Sequence, residues 1–238
     1  MEMEKKYAVF IDGDNISPEY LDEIMSEISK NGIILIKRVY GDWTTSHMNS
    51  WKEKIQNFPI RVFQQSRNGP NATDNTIIMD AIELALLNKD VNAFCIVSTD
   101  ADYYSLALRL RENGKYVLGI GKEESKTIWQ NSCDEFIKIE NILKEDDLSN
   151  IDTNVNKNQE LMEIIEYGLK NSKRNEDGWI SFADFGSIIK AKYPSFDPRT
   201  YSSPKLLPLI EKYKNIFHIN KDDRFPPNYW LKEKQNKE

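Results

Sequence analysis

Short apolar runs and amphipathic helical stretches take turns through the first 140 residues, and this alternation limits the possible folds more than any other feature of the chain. Residues 7–12 form an apolar run that ends in the turn cluster Gly13-Asp14-Asn15. Pro18 opens a stretch with Leu21, Ile24, Met25 and Ile28 on one helical face, stopped by Asn31-Gly32. Residues 33–40 read as a strand, 46–57 as a helix and 60–64 as a strand. Residues 73–88 read as a long helix, apolar on nearly every side from Ile77 to Leu87 and therefore predicted to be largely buried. A strand at 93–98, a helix at 102–113 closed by Gly114, a strand at 116–120, a helix near 125–132 and a strand at 136–139 complete the series. Strands that alternate with helices of this length imply α/β: a doubly wound parallel sheet flanked by helices.

Residues 144–157 break the pattern with many Asp and Asn and few apolar side chains, so they are read as a polar linker between a first domain at 1–143 and a second at 158–238. Beyond them, Leu161, Ile164, Ile165 and Leu169 mark one amphipathic helix, and Ser181 is placed to cap a second that carries Phe182, Phe185, Ile188 and Ile189. A third helix holds Leu206, Leu207, Leu209 and Ile210, and Pro208 requires it to start near Lys205. A predicted hairpin at 216–220 and 229–231 follows. Three helices and a hairpin outline a small α+β winged helix.

Charge is unevenly shared between these regions. Residues 1–143 carry 16 Lys+Arg against 22 Asp+Glu, whereas 157–238 carry 15 against 12, and the whole chain has a net charge of −6. Non-specific coating of polyanions is thereby disfavoured. No stretch approaches the roughly 18 apolar residues of a membrane span, and the first residues lack a signal-peptide core. The two cysteines, Cys95 and Cys133, sit in no metal-ligand pattern and fit a reducing, cytoplasmic setting.

In an open α/β sheet, functional groups gather at the carboxyl ends of the strands. Asp12 and Asp14 close the first strand, Asp74 opens the long helix, and Asp100 and Asp102 follow the fourth strand in Ser98-Thr99-Asp100-Ala101-Asp102. A normally wound sheet puts all of them on one rim. Each also has a plain structural role: turn formers at Asp14 and Asn15, helix N-terminal acids at Asp74 and Asp102, an N-cap at Asp100. Together they need more than that, because two carboxylates about 4 Å apart repel by roughly 4 kcal/mol at an effective dielectric of 20. A cation or shared protons must compensate. Oxygen ligands without Cys or His partners point to Mg²⁺ or Mn²⁺, an ion that binds a phosphodiester and generates hydroxide for in-line attack. Asp80 lies off the Asp74 face and is set aside. Nearby polar residues are Asn15, Ser98, Thr99, Trp43, Arg67 and Asn68. Asn15 and Thr99 can orient a carboxylate, Trp43 can stack a base or pack, and Arg67 can meet phosphate or stay solvated.

On these residues the first domain resembles the NYN family of PIN-like nucleases, which includes the LabA-type bacterial proteins. The matching segments are Ile11-Asp12-Gly13-Asp14-Asn15, Asn71-Ala72-Thr73-Asp74 and Ser98-Thr99-Asp100-Ala101-Asp102, with Arg109–Lys115 and Cys133–Ile137 resembling later family segments. The resemblance implies divalent-metal-dependent (endo)ribonuclease chemistry, with Asp12, Asp74 and Asp100 as metal ligands and Asp102 and Asn15 in support. Many relatives carry a lysine where this chain has Asn71. Residues 158–233 resemble the OST-HTH or LOTUS winged helix, through Gly178-Trp179-Ile180-Ser181, residues 193–199 and Ile216-Phe217-His218-Ile219. That resemblance implies RNA as the partner, with Arg199, Lys205 and Lys212 as contacts or as a solvated basic surface. A homodimer and a protein partner on the winged helix stay open, and the Asn-, Lys- and Ile-rich composition fits a bacterial source with an AT-rich genome.

Two other functions compete. Asp12-Gly13-Asp14 imitates the acid pair of haloacid-dehalogenase phosphatases, but Asp100 and Asp102 are too closely spaced for that chemistry and Asp74 has no place in it. The alternative from another class is a non-catalytic RNA-binding or scaffold protein with a vestigial acidic pocket.

Overall fold

The computed structural model describes residues 4–65, 72–143, 154–224 and 226–234. The chain divides into two compact units, 1–145 and 146–238. In the first, six parallel strands form one sheet: β1 (Lys6–Asp12), β2 (Ile33–Gly41), β3 (Arg61–Gln64), β4 (Ala93–Val97), β5 (Tyr116–Gly121) and β6 (Glu135–Lys138). Their order is β3-β2-β1-β4-β5-β6, so the winding reverses between β1 and β4. Two chain segments leave the carboxyl ends of adjacent strands in opposite directions there, and a crevice opens at the rim. Ile11 pairs with Val97 across this junction, which leaves Asp12 as the last residue of β1 beside the segment that follows β4.

Five helices cover the sheet: α1 (Leu21–Asn31), α2 (Asn49–Ile55), α3 (Ala72–Leu87), α4 (Tyr104–Glu112) and α5 (Thr127–Ser132). Alternate residues of β1 serve opposite faces. Tyr7, Val9 and Ile11 pack with Leu21, Ile24, Ile28 and Trp51, while Ala8 and Phe10 pack with Ile77, Leu106, Leu110 and Trp129. Burial on both faces is why this strand reads as an unbroken apolar run. Cys95 and Cys133 are free, buried thiols.

One expectation is corrected. Helix α3 is not largely buried: Ile77 and Ala81 are covered, but Met79, Leu86 and Leu87 are 69%, 64% and 74% exposed. A helix laid on one face of a sheet contacts it along a single stripe, and apolar residues elsewhere on its circumference stay outside.

The second unit holds α6 (Asn154–Asn171), α7 (Phe182–Lys192) and α8 (Leu206–Glu211) with an antiparallel sheet. Its strands, β7 (Ile180–Ser181), β8 (Phe217–Lys221) and β9 (Tyr229–Glu233), lie in the order β7-β9-β8. Leu161, Ile165, Phe185, Ile189, Leu209, Ile210, Phe217 and Leu231 form its core. This is the small helix-and-hairpin arrangement of a winged helix, with β7 as a strand the pattern of side chains does not announce. Helix α6 starts at Asn154, so the last four residues of the expected linker are helical. Ser181 stands at the N-cap of α7 but its side chain makes no capping hydrogen bond. Among the described residues no helix is long and apolar enough to cross a membrane.

Candidate active site

Two loops form the rim at the winding reversal, and a buried indole holds each one through its backbone. After β1, the Trp51 Nε1–H donates to the carbonyls of Gly13 and Ile16, both at 3.1 Å. After β4, the Trp129 Nε1–H donates to the carbonyl of Ser98 at 3.0 Å. Gly13 is required where it stands, because a Cβ there would lie 2.9 Å from the Tyr40 carbonyl oxygen. The loops are tied together by Asn15, whose Oδ1 accepts the Thr99 N–H at 2.8 Å. Asp14 ties in the third element: its Oδ2 accepts the Thr73 hydroxyl at 2.8 Å, at the start of α3.

Asp12 and Asp74 are both buried on this frame. The Tyr103 hydroxyl joins them, donating to Asp74 Oδ1 at 2.7 Å and lying 3.2 Å from Asp12 Oδ2. Ser98 Oγ also donates to Asp12 Oδ2 at 3.2 Å, and itself accepts the Asp100 N–H at 3.1 Å. Both hydroxyls thus converge on one oxygen of Asp12. The other, Oδ1, is buried without a hydrogen-bond partner. Burial pushes the Asp12 carboxyl up to about 7; the Asp74 charge adds to this, and the Tyr103 and Ser98 hydrogen bonds oppose it. Asp74 is raised as well, first by burial, then by the charges of Asp100, Asp102 and Asp14 against the Tyr103 hydrogen bond.

The remaining sequence-predicted residues are placed as follows. Asp100 is half-buried and caps a short 3-10 turn, Ala101–Tyr103, by accepting the Asp102 N–H. Asp102 is exposed, as is Asn15. Among the described residues no three acidic, His or Cys side chains stand close enough together to hold one metal ion. The structure therefore brings Asp12 and Asp74 together as a pair, with Asp100, Asp102 and Asp14 near enough to act on Asp74 by charge. Such a pair still fits the chemistry, since Mg²⁺ keeps several waters and commonly takes one or two carboxylates. The orphaned Asp12 Oδ1 is the atom a cation would satisfy.

Trp43 is half-buried and packs against the core, with its Nε1–H donated to the Phe63 carbonyl at 2.9 Å. That hydrogen bond holds the edge of the indole, and the residue remains partly exposed. Arg67, Asn68 and Asn71 lie outside the described residues. Asp80, set aside on periodicity, receives Arg38 at 2.9 Å and the Tyr40 hydroxyl at 2.7 Å, an interaction that braces β2 against α3. In the second unit the Arg199 guanidinium is forked onto Asp197 at 2.7–2.9 Å. Lys212 donates to the carbonyls of Tyr201 and Ser202 at 3.2 and 2.8 Å, closing the turn where Ser202 takes a φ of 52°. Both cations serve the fold first, whereas Lys205 is exposed at the N-cap of α8.

Sequence reasoning missed Tyr103, Trp51 and Trp129. Their only signal is an aromatic residue with a polar tip at a helix position near a rim, which by itself reads as core.

A family model described as the NYN domain matches residues 6–140, and one described as the OST-HTH/LOTUS domain matches 156–229. An uncharacterised protein of Methanocaldococcus jannaschii is 31% identical over 141 residues, 57% of this chain. The match spans only 56% of that relative's length. A crystal structure of a protein of unknown function from Vibrio parahaemolyticus aligns with 58% of this chain and 95% of its own, at 19% identity and a TM-score of 0.48.

Proposed function

Because this chain belongs to the NYN domain family, within the PIN-like nuclease superfamily, and adds a domain of the RNA-binding OST-HTH/LOTUS type, we propose that it is a divalent-metal-dependent ribonuclease. Asp12, Asp74 and Asp100 are the metal-binding carboxylates in this reading, with Asp102 and Asn15 in support and Mg²⁺ or Mn²⁺ as the ion. The observation that carries it is Asp12, a buried carboxylate beside a second one, whose Oδ1 has no partner. When bound, the ion supplies charge neutralisation at a phosphodiester and an acidified water for in-line attack. The chain's own part is positional. Ser98 and Tyr103 orient Asp12, Asn15 locks the two loops to each other, and Asp14 draws the start of α3 to the same rim. The winged helix supplies RNA affinity, with Lys205 the most available of the three proposed cations and Arg67 a phosphate contact in the first unit.

The test is cleavage of an end-labelled single-stranded RNA with Mg²⁺ or Mn²⁺, for the wild type, Asp12→Asn and Asp100→Asn. Expected are cleavage by the wild type, its arrest by EDTA, and a loss on the order of a hundredfold or more in each folded variant. A second reading, a non-catalytic RNA-binding protein, draws on one observation: no three carboxylates among the described residues converge on a point. RNA binding without any metal-dependent cleavage across several RNAs would establish that reading instead.

A further inference from the structure

The two oxygens of Asp12 have been given different tasks. Oδ2 faces the Ser98 and Tyr103 hydroxyls, both at 3.2 Å, while Oδ1 is buried with no partner. Asp74 Oδ1 accepts the same Tyr103 hydroxyl at 2.7 Å. One hydroxyl stands between the two acids, its proton on Asp74, while Ser98 donates to Asp12. Tyr103 is fully buried, its ring packed 6.1 Å from that of Trp129, so it has no freedom to swing away.

We propose that Tyr103 is a positioning residue of this site, whose hydroxyl, aided by Ser98, holds Asp12 Oδ2 and Asp74 Oδ1 so that Asp12 offers a divalent cation Oδ1 alone. This rests on the reading of the rim as a metal site. The consequence is ion selectivity. Ca²⁺ accepts bidentate carboxylates in a flexible shell of six to eight oxygens, whereas Mg²⁺ and ions of its size demand a compact octahedral shell and keep their waters. A carboxylate restricted to one free oxygen favours the second kind of ion. Removing the hydroxyl frees Asp74 Oδ1 and leaves Asp12 Oδ2 held by Ser98 alone, so either carboxylate turns more readily to chelate.

Tyr103→Phe deletes the hydroxyl and keeps the ring in the core, so the fold is retained, which a thermal melt followed by circular dichroism checks. The measurement is calorimetric titration of the metal-free, full-length protein with Mn²⁺ and separately with Ca²⁺, for the wild type, Tyr103→Phe and Asp12→Asn. Tyr103→Phe is expected to weaken Mn²⁺ binding roughly tenfold or more and Ca²⁺ binding less, narrowing the preference between them. An unchanged Mn²⁺-to-Ca²⁺ ratio in Tyr103→Phe, alongside Mn²⁺ binding lost in Asp12→Asn, overturns the role of Tyr103 and leaves the metal site standing. Mn²⁺ binding that Asp12→Asn does not alter, or no binding by the wild type, overturns the metal site and this proposal with it.

Discussion

In the winged-helix unit, Asp197 has both oxygens engaged by the Arg199 guanidinium, and one of them also accepts the Arg199 backbone N–H. In the NYN unit, Asp12 has a second carboxylate close by and one buried oxygen with no partner. The first acid is spent on shape: it caps a 3-10 turn and pins a basic side chain. The second works against the fold that holds it. A carboxyl pushed up to about 7 is one the native state holds at a cost whenever it is ionised. The difference between the two units separates acids whose oxygens the fold fills from acids it leaves partly unfilled.

The largest expected effect tests the strained side of this contrast. In the metal-free protein, native Asp12 binds a proton up to about pH 7, whereas in the unfolded chain it releases it near the ordinary carboxylate value of 3.8. Between those values the native state holds the extra proton, so stability falls as pH rises, by up to about 4 kcal/mol for this one group, and levels off above about 7. Asp12→Asn removes the ionisation. In EDTA at pH 8 it should unfold at higher denaturant than the wild type, with much of the pH slope gone. A variant less stable than the wild type at pH 8 would break the comparison.

The filled side should respond in the opposite sense and more modestly. Asp197→Ala removes the cap and the fork together, so the winged-helix unit should lose about 1–2 kcal/mol while calorimetric Mn²⁺ binding is unchanged. The smallest effect belongs to the exposed pair of Arg174 and Glu233, 2.9 Å apart with side chains 41% and 49% exposed. Glu233→Gln should cost less than about 1 kcal/mol, and the difference should vanish when the denaturation is repeated in 1 M salt, at a Debye length of about 3 Å.

Most of the sheet could be read in advance because burial on both faces leaves a plain mark: β1, β4 and β5 are unbroken apolar runs closed by turn residues. The position of Asp12, Asp74 and Asp100 near one rim followed from that reading. Their partners did not. Tyr103 looks like an ordinary core aromatic and is one; only the packing of α4 and its preceding turn against α5 brings its hydroxyl between two acids. Trp43 is similar, since an aromatic after a strand end carries no mark of the carbonyl its N–H will find, here that of Phe63. Helix α3 defeated the argument from periodicity altogether, because a segment apolar on all sides carries no mark of which side will be covered. For Arg199 and Lys212 the sequence shows charge but not the neighbouring oxygens that claim it.

Trp51 and Trp129 grip the rim loops by main-chain carbonyl oxygens alone. Every residue type supplies the same carbonyl, so this grip does not depend on which side chains the loops carry. Position 99, tied to Asn15 through its own backbone N–H, can therefore be exchanged while the loop path persists, whereas Asp14 and Asn15 hold the rim by their side chains. The side chain shown at that position is open to redesign without rebuilding the scaffold beneath it.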